Sequence, residues 1–280
     1  MQLGFIGAGR VGCSMGKYLS NAGITVTGYY SRTGESAKEA AAFTNSKAFL
    51  TLDDLCNASN TLCIAVPDDE IGKVWDCIAK DQIQDKIVCH FSGSLSSVVF
   101  SGIENYGAMA CSIHPMYAFS DKFHSYEQLH TAAMTMEGNK EAVSRFRMIF
   151  EHLGNRVYEL APKDKIRYHA AAVLSSNNVN GLLWMAIQEL LTCGFSEEEA
   201  KDILYPVFEN NVKSILKTDP VSALTGPVER GDVETVTKHL ATLQGATKQA
   251  YVGIGKTLTK MATIKYPNRE LGISKGTWEE

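Results

Sequence analysis

The chain has 280 residues, 45% of them apolar, so it is long enough and apolar enough to bury one large core or two ordinary ones. Its 27 lysines and arginines stand against 31 aspartates and glutamates, and the resulting net charge of −4 argues against a nucleic-acid or anionic-membrane binder. No stretch approaches the roughly 18 apolar residues of a membrane span. The N-terminus lacks the basic region and cleavage site of a signal peptide.

The seven cysteines are odd in number and scattered, with no C-x-x-C spacing. Most stand in apolar runs, which predicts small core residues in a reducing cytoplasm and no metal site. Cys13 differs because it falls on the first turn of a predicted helix, where the helix dipole would lower a thiol pKa. We favour a packing role for it nonetheless.

The first dozen residues carry the strongest motif. Leu3 to Ile6 reads as a short buried strand, and Gly7, Gly9 and Gly12 then fit the G-x-G-x-x-G dinucleotide fingerprint. The first glycine permits the tight turn, the second lets a pyrophosphate approach the backbone, and the third lets the helix pack on the strand. The helix N-terminus would offer N–H groups to the phosphates. The predicted phosphate-binding residues are Gly7, Ala8, Gly9, Arg10, Val11 and Gly12. The alternative is a glycine-rich turn that binds nothing.

The end of the second predicted strand, Ile24 to Tyr30, indicates which dinucleotide would bind. An Asp or Glu at this position would accept the 2′-hydroxyl of NAD. Here the strand is followed by Ser31, Arg32 and Thr33. A guanidinium between two hydroxyls suits a 2′-phosphate, so the sequence predicts NADP. An ordinary surface arginine would leave the choice of cofactor open.

Strands and helices alternate over the first 160 residues or so. This alternation predicts an α/β fold with a doubly wound, mainly parallel Rossmann sheet. The unbroken apolar run from Thr61 to Val66 is typical of a parallel strand covered on both faces. The other predicted strands are 86–91, 108–113, 131–136 and 156–160. The predicted helices are 35–43, a short capped helix at 51–57, a helix capped by 67–69 that runs through 79, a helix from 95 to about 103, and 140–153.

After Pro162 the pattern becomes helical. The pattern predicts one helix roughly 45 Å long from Lys163 to about Cys193. Its middle, Ala170 to Leu174, is apolar on all sides and is therefore expected to be buried. Ser196 starts another helix with a capping-box pattern. That helix continues to residue 217, a further one covers 232–244, and the last fifteen residues are polar and expected to wrap or fray. We therefore predict a Rossmann domain over residues 1–161 and an all-α domain over residues 162–280.

Three features together carry a family resemblance: the N-terminal glycine fingerprint with a helical second half, His114-Pro-Met, and Thr225-Gly-Pro-Val-Glu-Arg-Gly-Asp232. The chain resembles NADP-dependent oxidoreductases related to pyrroline-5-carboxylate reductases, prephenate dehydrogenases and β-hydroxyacid dehydrogenases. It is most similar to the branch that joins a Rossmann-like domain to a DUF2520 C-terminal domain. The resemblance implies a helical domain like that of 6-phosphogluconate dehydrogenase, which often dimerises, and an active site in a cleft between domains.

The chain departs from the β-hydroxyacid dehydrogenases at one informative place. Those enzymes carry a catalytic lysine, with an asparagine four residues later, on the first long helix after the Rossmann domain. Here Lys165 lies near the start of that helix, but His169 occupies the fourth position after it. Hydroxyacid oxidation by that residue pair is therefore not expected.

Ligands of open α/β sheets lie at the carboxyl ends of the strands. We expect Val66, Pro67 and Asp68 to line the adenosine or ribose side of the cofactor. The turn Ser92-Gly93-Ser94 would lie near the nicotinamide, with Ser92 contacting cofactor and substrate and Gly93 and Ser94 contacting substrate. The alternative is a turn that merely ends its strand.

His114 precedes a proline at another predicted strand end, so it is a candidate for orienting substrate. A partly buried structural histidine is the competing interpretation.

The angular positions along the long helix place Lys165, His169, Ser176 and Asn180 in one polar seam. Such a seam forms either a hydrogen-bond network between helices or the substrate wall of the cleft. In the second case His169 is the candidate general acid, because its pKa lies near working pH, and Lys165 is the alternative donor.

The segment Thr225–Asp232 combines two glycines, a proline and three charges. We read it as a loop that closes over the cleft, with Arg230 holding a substrate anion. A surface arrangement of Arg230 with Asp232 or Glu229 is the alternative.

Taken together, these features predict an NADP(H)-dependent oxidoreductase. It would transfer hydride between nicotinamide and a small carbonyl, alcohol or imine compound that bears a carboxylate. Ser92 and His114 would take part in catalysis with His169 and Lys165. The alternative is a sensor or scaffold that binds NADP without turnover. We also expect a homodimer through the C-terminal helices, and neither nucleic acid nor membrane as a partner.

Overall fold

A computed structural model of the protein describes residues 1–278. The N-terminal region contains one eight-stranded sheet with the strand order β3-β2-β1-β4-β5-β6-β7-β8. Only the β6–β7 pair is antiparallel. The strands are β1 (Gln2–Ile6), β2 (Thr25–Tyr30), β3 (Lys47–Ala48), β4 (Thr61–Ile64), β5 (Ile87–His90), β6 (Met109–Met116), β7 (Ala133–Gly138) and β8 (Val157–Glu159). The predicted doubly wound sheet is confirmed, and the two-residue strand β3 is an element that the sequence pattern missed.

The sheet is covered on both faces. One apolar cluster includes Phe5, Tyr29 and Phe146, and a second includes Ile64 and Trp75. Burial on both faces explains the unbroken apolar runs, because a strand with two covered faces has no solvent side on which to place polar residues.

Five helices accompany these strands in the chain: α1 (Arg10–Asn21), α2 (Gly34–Thr44), α3 (Leu52–Ala58), α4 (Asp68–Cys77) and α5 (Lys140–His152). The predicted cap of α3 is present, because the Thr51 hydroxyl accepts from the Asp54 N–H at 3.2 Å.

The helix predicted to follow Ser94 and to run to Ile103 is wrong. The segment instead forms two short 3-10 turns, Ser97–Val99 and Ile103–Tyr106. The Ser97 N–H donates to the Glu137 carboxylate at 2.6 Å, and Gly102 is left-handed with φ +72°. Both features divert the backbone from a continuous helical ladder.

The chain divides into two compact units, Met1–Val173 and Leu174–Glu280. The division falls within the predicted long helix, whereas the sequence pattern places the domain boundary near Ala161–Pro162. The second unit contains α7 (Asn177–Thr192), α8 (Glu197–Lys217), α9 (Pro220–Ala223), α10 (Pro227–Arg230), α11 (Val233–Thr242) and α12 (Gly245–Lys265). Helix α12 was not predicted. No helix in the described part of the chain is both long and apolar enough for a membrane span.

The single helix predicted from Lys163 to Cys193 is wrong. It is divided into α6 (Lys165–Ser175) and α7, with Ser176 between them at φ −129° and ψ −83°. The break falls in a Ser-Ser-Asn-Asn run, whose short polar side chains compete for backbone hydrogen bonds and favour caps over helix interiors.

The predicted burial of Ala170 to Leu174 is also wrong. Ala170 and Ala171 are exposed, and Leu174 is 64% exposed. An apolar run identifies surface that must be covered, but it does not identify which chain covers it.

The end of the described chain packs back on the helices. Trp278 and Ile273 are buried beside Val236 and Leu240. The Trp278 ring lies against Gly255, where a Cβ would collide with it, and its Nε1–H donates to the Thr259 hydroxyl at 3.2 Å. Wrapping, rather than fraying, is therefore the outcome for the described part of this segment, and residues 279–280 lie outside the described residues.

Candidate functional site

The glycine turn between β1 and α1 has the sterics that the fingerprint requires. Gly7 is left-handed at φ +104°, and its N–H donates to the Tyr30 carbonyl at 2.8 Å. A Cβ on Gly7 would collide with the Ala65 carbonyl, and one on Gly12 would collide with the Gly7 carbonyl. Both glycines are thus required by close backbone packing.

Gly9 stands apart from the other two glycines, because a Cβ there would meet no atom within 4 Å. Gly9 and Arg10 are exposed, and Gly9 is the N-cap of α1 without a side-chain cap. The first N–H groups of α1 therefore lack side-chain acceptors and face an open space, which suits a pyrophosphate. Val11 is half-buried and Ala8 is buried within the turn.

A fourth glycine, Gly16, was not singled out from the sequence. A Cβ at Gly16 would collide with the Tyr29 hydroxyl, so this glycine lets α1 lie directly on the ring from β2. One helical turn after Gly12, it extends the small-residue face of α1, and that spacing is the signal that could have identified it.

Cys13 is fully buried, and burial raises its pKa to about 11. The expectation of a lowered pKa fails, because the loss of solvation outweighs the attraction of nearby cations. The thiol is a packing residue, as favoured from the sequence.

The end of β2 places Ser31 half-buried, with Arg32 and Thr33 exposed. The Thr33 hydroxyl donates to the Ser36 hydroxyl at 2.9 Å. Arg32 forms no ion pair with a described residue, so its guanidinium is available to a ligand at this edge of the sheet.

Asp68 links the ends of β4 and β5. Val66 and Pro67 lead from β4 into α4, and Asp68 is the first residue of that helix. Its Oδ2 accepts from the Ser92 hydroxyl at 2.7 Å and from the Ser94 hydroxyl at 2.6 Å. The carboxylate is thus engaged in holding the turn after β5.

The Ser92 turn is further fixed from within, because the Ser92 hydroxyl accepts from the backbone N–H groups of Ser94 at 3.1 Å and Leu95 at 2.9 Å. A turn with so many internal hydrogen bonds is pre-organised rather than adaptable.

Lys165, at the start of α6, inserts its side chain beneath this turn. It is 2% exposed, and Nζ donates to the Ser92 carbonyl at 2.7 Å and to the Ser112 hydroxyl at 2.6 Å. Burial lowers its pKa to about 8, with Glu137 and Asp68 opposing that shift. The ammonium therefore remains protonated at neutral pH and ties α6 to β5 and β6.

Two imidazoles converge on Gly93. A Cβ on Gly93 would come within 2.6 Å of His169 Cδ2 and 2.8 Å of His114 Nε2. The two rings are perpendicular, with centroids 6.2 Å apart. Only glycine leaves room for both rings, so the structure brings together Ser92, Gly93, His114, Lys165 and His169.

His114 is neutral at physiological pH. Burial lowers its pKa to about 4, and the nearby Lys165 ammonium contributes in the same direction. This environment suits hydrogen bonding to a ligand better than storage of a proton at pH 7.

Sequence reasoning missed two buried groups next to this cluster. His90 is fully buried, burial lowers its pKa to about 4, and its Nδ1 accepts from the Ser92 N–H at 3.2 Å. Glu137 is 4% exposed and accepts from both the N–H and the hydroxyl of Ser97. The position of His90 as the last residue of an apolar strand was the available signal for it.

The predicted four-residue polar seam is wrong as a continuous feature. Lys165 and His169 lie in the first unit, whereas Ser176 and Asn180 are exposed residues of the second unit. Because Ser176 interrupts the helix, the angular relation between the two pairs does not hold. Ser176 donates its hydroxyl proton to the Asn177 side chain at 3.0 Å.

The Thr225–Asp232 segment is not a plain loop. It holds the short helix α10, with Pro227 at its first position and Gly231 as a left-handed cap at φ +74°. Asp232 caps α11 by accepting from the Thr235 N–H at 3.0 Å. The glycine, proline and aspartate content is therefore explained by helix ends.

Arg230 is exposed at the end of α10 in the second unit. Among the described residues, Arg230 forms no ion pair with Asp232 or Glu229. Glu229 instead accepts from the Tyr266 hydroxyl at 2.7 Å and pairs with Lys265 at 3.6 Å, and Asp232 accepts from the Thr235 hydroxyl at 2.8 Å. A role for Arg230 in substrate binding stays a prediction.

Two family models match successive parts of the chain. Residues 1–115 match the family described as Rossmann-like domain, and residues 132–258 match the family described as domain of unknown function (DUF2520). A search of curated protein sequences gave no match.

Solved structures with the same fold cover nearly the whole chain. A protein of Thermotoga maritima is 26% identical, with a TM-score of 0.74 over 94% of this chain and 99% of that one. The imine reductase of Myxococcus stipitatus in complex with NADP+ is 16% identical, with a TM-score of 0.64 over 99% and 98%. Plasmodium falciparum pyrroline carboxylate reductase with NADP bound is 16% identical, with a TM-score of 0.54 over 95% of each chain.

Proposed function

We propose that this chain, which joins a Rossmann-like domain to a DUF2520 domain, is an NADP(H)-dependent oxidoreductase. Its substrate would be a small carbonyl, alcohol or imine compound that bears a carboxylate. The observation that carries the proposal is the convergence of His114 and His169 on Gly93, at the carboxyl end of β5. Structures of similar fold named as an imine reductase and a pyrroline carboxylate reductase, both with NADP, support the same reaction class.

The cofactor would lie along the carboxyl edge of the sheet. The residues Gly7 to Gly12 would hold its pyrophosphate at the N-terminus of α1, and Arg32 would bind the 2′-phosphate between Ser31 and Thr33. The open space beside Gly9 and the unpaired guanidinium of Arg32 both fit this placement. Val66, Pro67 and Asp68 would line the adenosine or ribose side.

When bound, NADPH supplies a hydride, and the heteroatom of the substrate then requires a proton. We assign delivery of that proton to His169, which is half-buried and lies against the Gly93 backbone. Lys165 is the alternative donor, because it is protonated at neutral pH. Its near-complete burial and its two hydrogen bonds favour a role in fixing the turn and providing positive charge.

The second candidate is a sensor or scaffold that binds NADP without turnover. It is favoured by the hydrogen bonds that hold Lys165 beneath the turn, and by His169 at the position where β-hydroxyacid dehydrogenases carry asparagine. His169→Ala separates the two functions. An enzyme would lose turnover about 10²-fold or more while it keeps its cofactor affinity, and a sensor would have no turnover to lose.

Titration of the purified protein with NADPH and NADH, followed by nicotinamide fluorescence, is the first test. We expect tight NADPH binding and weak NADH binding. Arg32→Gln should weaken NADPH binding about tenfold or more and leave NADH binding unchanged. NADPH oxidation is then screened against oxo acids and cyclic imines. Failure of the protein to bind either nucleotide would overturn both candidate functions.

We further propose that the protein is a homodimer assembled through its C-terminal helices. Large apolar side chains are exposed along α7 and α8, among them Trp184, Tyr205, Val207 and Phe208. An apolar groove of about 600 Å³ lies in the same unit and is lined by residues such as Leu182, Leu190 and Ile254. Apolar surface of this extent is typical of an interface.

A cytoplasmic location stays a prediction from cysteine usage.

A further inference from the structure

Tyr168 lies on α6 in the first unit and has no assigned role in the proposed reaction. Its hydroxyl oxygen lies 2.8 Å from His114 Nδ1, and the two rings are perpendicular with centroids 5.5 Å apart. Tyr168 is next to His169 in sequence, so one turn of α6 contributes both a ring against Gly93 and a partner for His114.

The protonation states of the pair determine the direction of this hydrogen bond. The low pKa of His114, about 4, leaves a neutral ring with one N–H and one acceptor nitrogen. Burial raises the pKa of Tyr168, so the phenol keeps its proton at neutral pH. The phenol can therefore donate, and the imidazole nitrogen can accept.

Two other groups contact the phenol: Met116 Sδ at 3.9 Å, and the Thr135 hydroxyl, whose hydrogen bond lowers the pKa of Tyr168 and therefore donates to the phenol oxygen. A thioether is a weak acceptor, whereas a neutral imidazole nitrogen at 2.8 Å is a strong one. The Tyr168 O–H should therefore donate to Nδ1, which places the single ring proton of His114 on Nε2.

His114 Nε2 is the ring atom that lies over Gly93, and it makes no hydrogen bond to another described residue. We propose that Tyr168 is a positioning residue that holds His114 as an Nε2–H donor beside the Gly93 turn. Such a donor suits a carbonyl or carboxylate oxygen of a bound ligand. It stabilises charge on that oxygen without transferring a proton, which leaves proton delivery to His169. The ligand part of this inference rests on the proposed function.

Nitrogen-15 NMR of histidine-labelled full-length protein at pH 7 tests the inference without any ligand. Protonated and unprotonated ring nitrogens give distinct signals, and His114→Asn assigns the pair. We expect Nε2 to be protonated and Nδ1 to be unprotonated in the unaltered protein. Tyr168→Phe should reduce the ratio of the two tautomers roughly fivefold, as expected for the loss of one hydrogen bond. Tyr158→Phe, an exposed tyrosine on β8, should leave the ratio unchanged.

A proton on Nδ1 in the unaltered protein would overturn the inference, and so would an unchanged ratio in a folded Tyr168→Phe variant. If that variant does not fold, the tautomer of the unaltered protein still decides the matter. The proposed function fails by a different result, namely the absence of NADPH binding and turnover. The two failures are therefore distinguishable.

Discussion

At the scale of single residues, Gly93 is both tightly packed and adjacent to the two histidines of the proposed site. Its backbone is approached by His169 Cδ2 and His114 Nε2 so closely that a methyl group would displace both rings. We expect Gly93→Ala to reduce turnover at least 10²-fold, because misplacement of the reacting groups by about 1 Å has an effect of that size. Cofactor affinity should change much less, since the phosphate turn is separate.

Parallel measurements of NADPH affinity and turnover check this prediction. Gly34→Ala is the control, because Gly34 has a negative φ and a Cβ there meets no atom within 4 Å. Full activity in Gly93→Ala would contradict the assignment of the site.

The buried histidines predict a pH dependence of stability. His90 and His114 have pKa values of about 4 in the folded protein, against 6.5 for an ordinary histidine. Between these values the unfolded chain binds more protons, so the free energy of unfolding falls as pH falls from about 6.5 to 4. Each pKa unit is worth about 1.4 kcal/mol, which makes the loss from His90 roughly 3 kcal/mol.

Urea unfolding at pH 7 and at pH 5, at one protein concentration, measures this effect. His90→Asn keeps an acceptor near the Ser92 N–H without the titration, so its stability should depend less steeply on pH. His130→Asn alters an exposed histidine and should retain the original slope. An equal slope in all three proteins would refute the argument.

At the scale of elements, α8 has an N-terminus that can be tested directly. The Ser196 hydroxyl accepts from the Glu199 N–H at 3.2 Å, and the Glu199 carboxylate accepts from the Ser196 N–H at 2.8 Å. This is the predicted capping box. Ser196→Ala should lower the free energy of unfolding by about 1 kcal/mol.

Chemical denaturation measures the free energy of unfolding of Ser196→Ala, and Ser144→Ala serves as the control for the cap of α8. Ser144 is exposed within α5 and caps nothing, so its replacement should be neutral or slightly stabilising because alanine has the higher helix propensity. Equal stability of the two variants would mean that the cap contributes little.

Helices and strands could be predicted from the sequence where a few consecutive residues determine them. The cap of α8, the Thr51 cap of α3 and the apolar run of β4 are local signals, and each was confirmed. The interruption at Ser176 was missed because an apolar count is insensitive to four successive short polar residues. Helix α12 was missed because its pattern is weakly amphipathic, so packing rather than periodicity defines it.

At the scale of the whole molecule, the exposed apolar side chains of α7 and α8 predict self-association. Sedimentation velocity at micromolar concentration should show a stable dimer. Trp184→Arg should shift the protein toward monomer, because Trp184 is 61% exposed and a charge there would have to be desolvated at an interface.

Leu50→Arg provides the matched control, since Leu50 is 86% exposed in the other unit. It should leave the sedimentation coefficient unchanged. A monomeric unaltered protein at this concentration would refute the dimer proposal.

The sequence by itself determined the fold class, the glycine turn and the residues that gather at the carboxyl edge of the sheet. These follow from signals within one or two consecutive elements, such as Gly7 to Gly12, or from the rule that parallel strands end at one edge. The strand-end rule also named His114, whereas Lys165 and His169 were named from their spacing on the helix that follows the sheet.

Only the tertiary structure decided how those candidates are arranged. It placed Lys165 beneath the Ser92 turn, paired His114 with Tyr168, and buried His90 and Glu137 beside them. These contacts join residues that are distant in sequence, and the pKa values depend on the resulting burial and charge. No periodicity or motif encodes either quantity, because both arise from which surfaces meet when the chain folds.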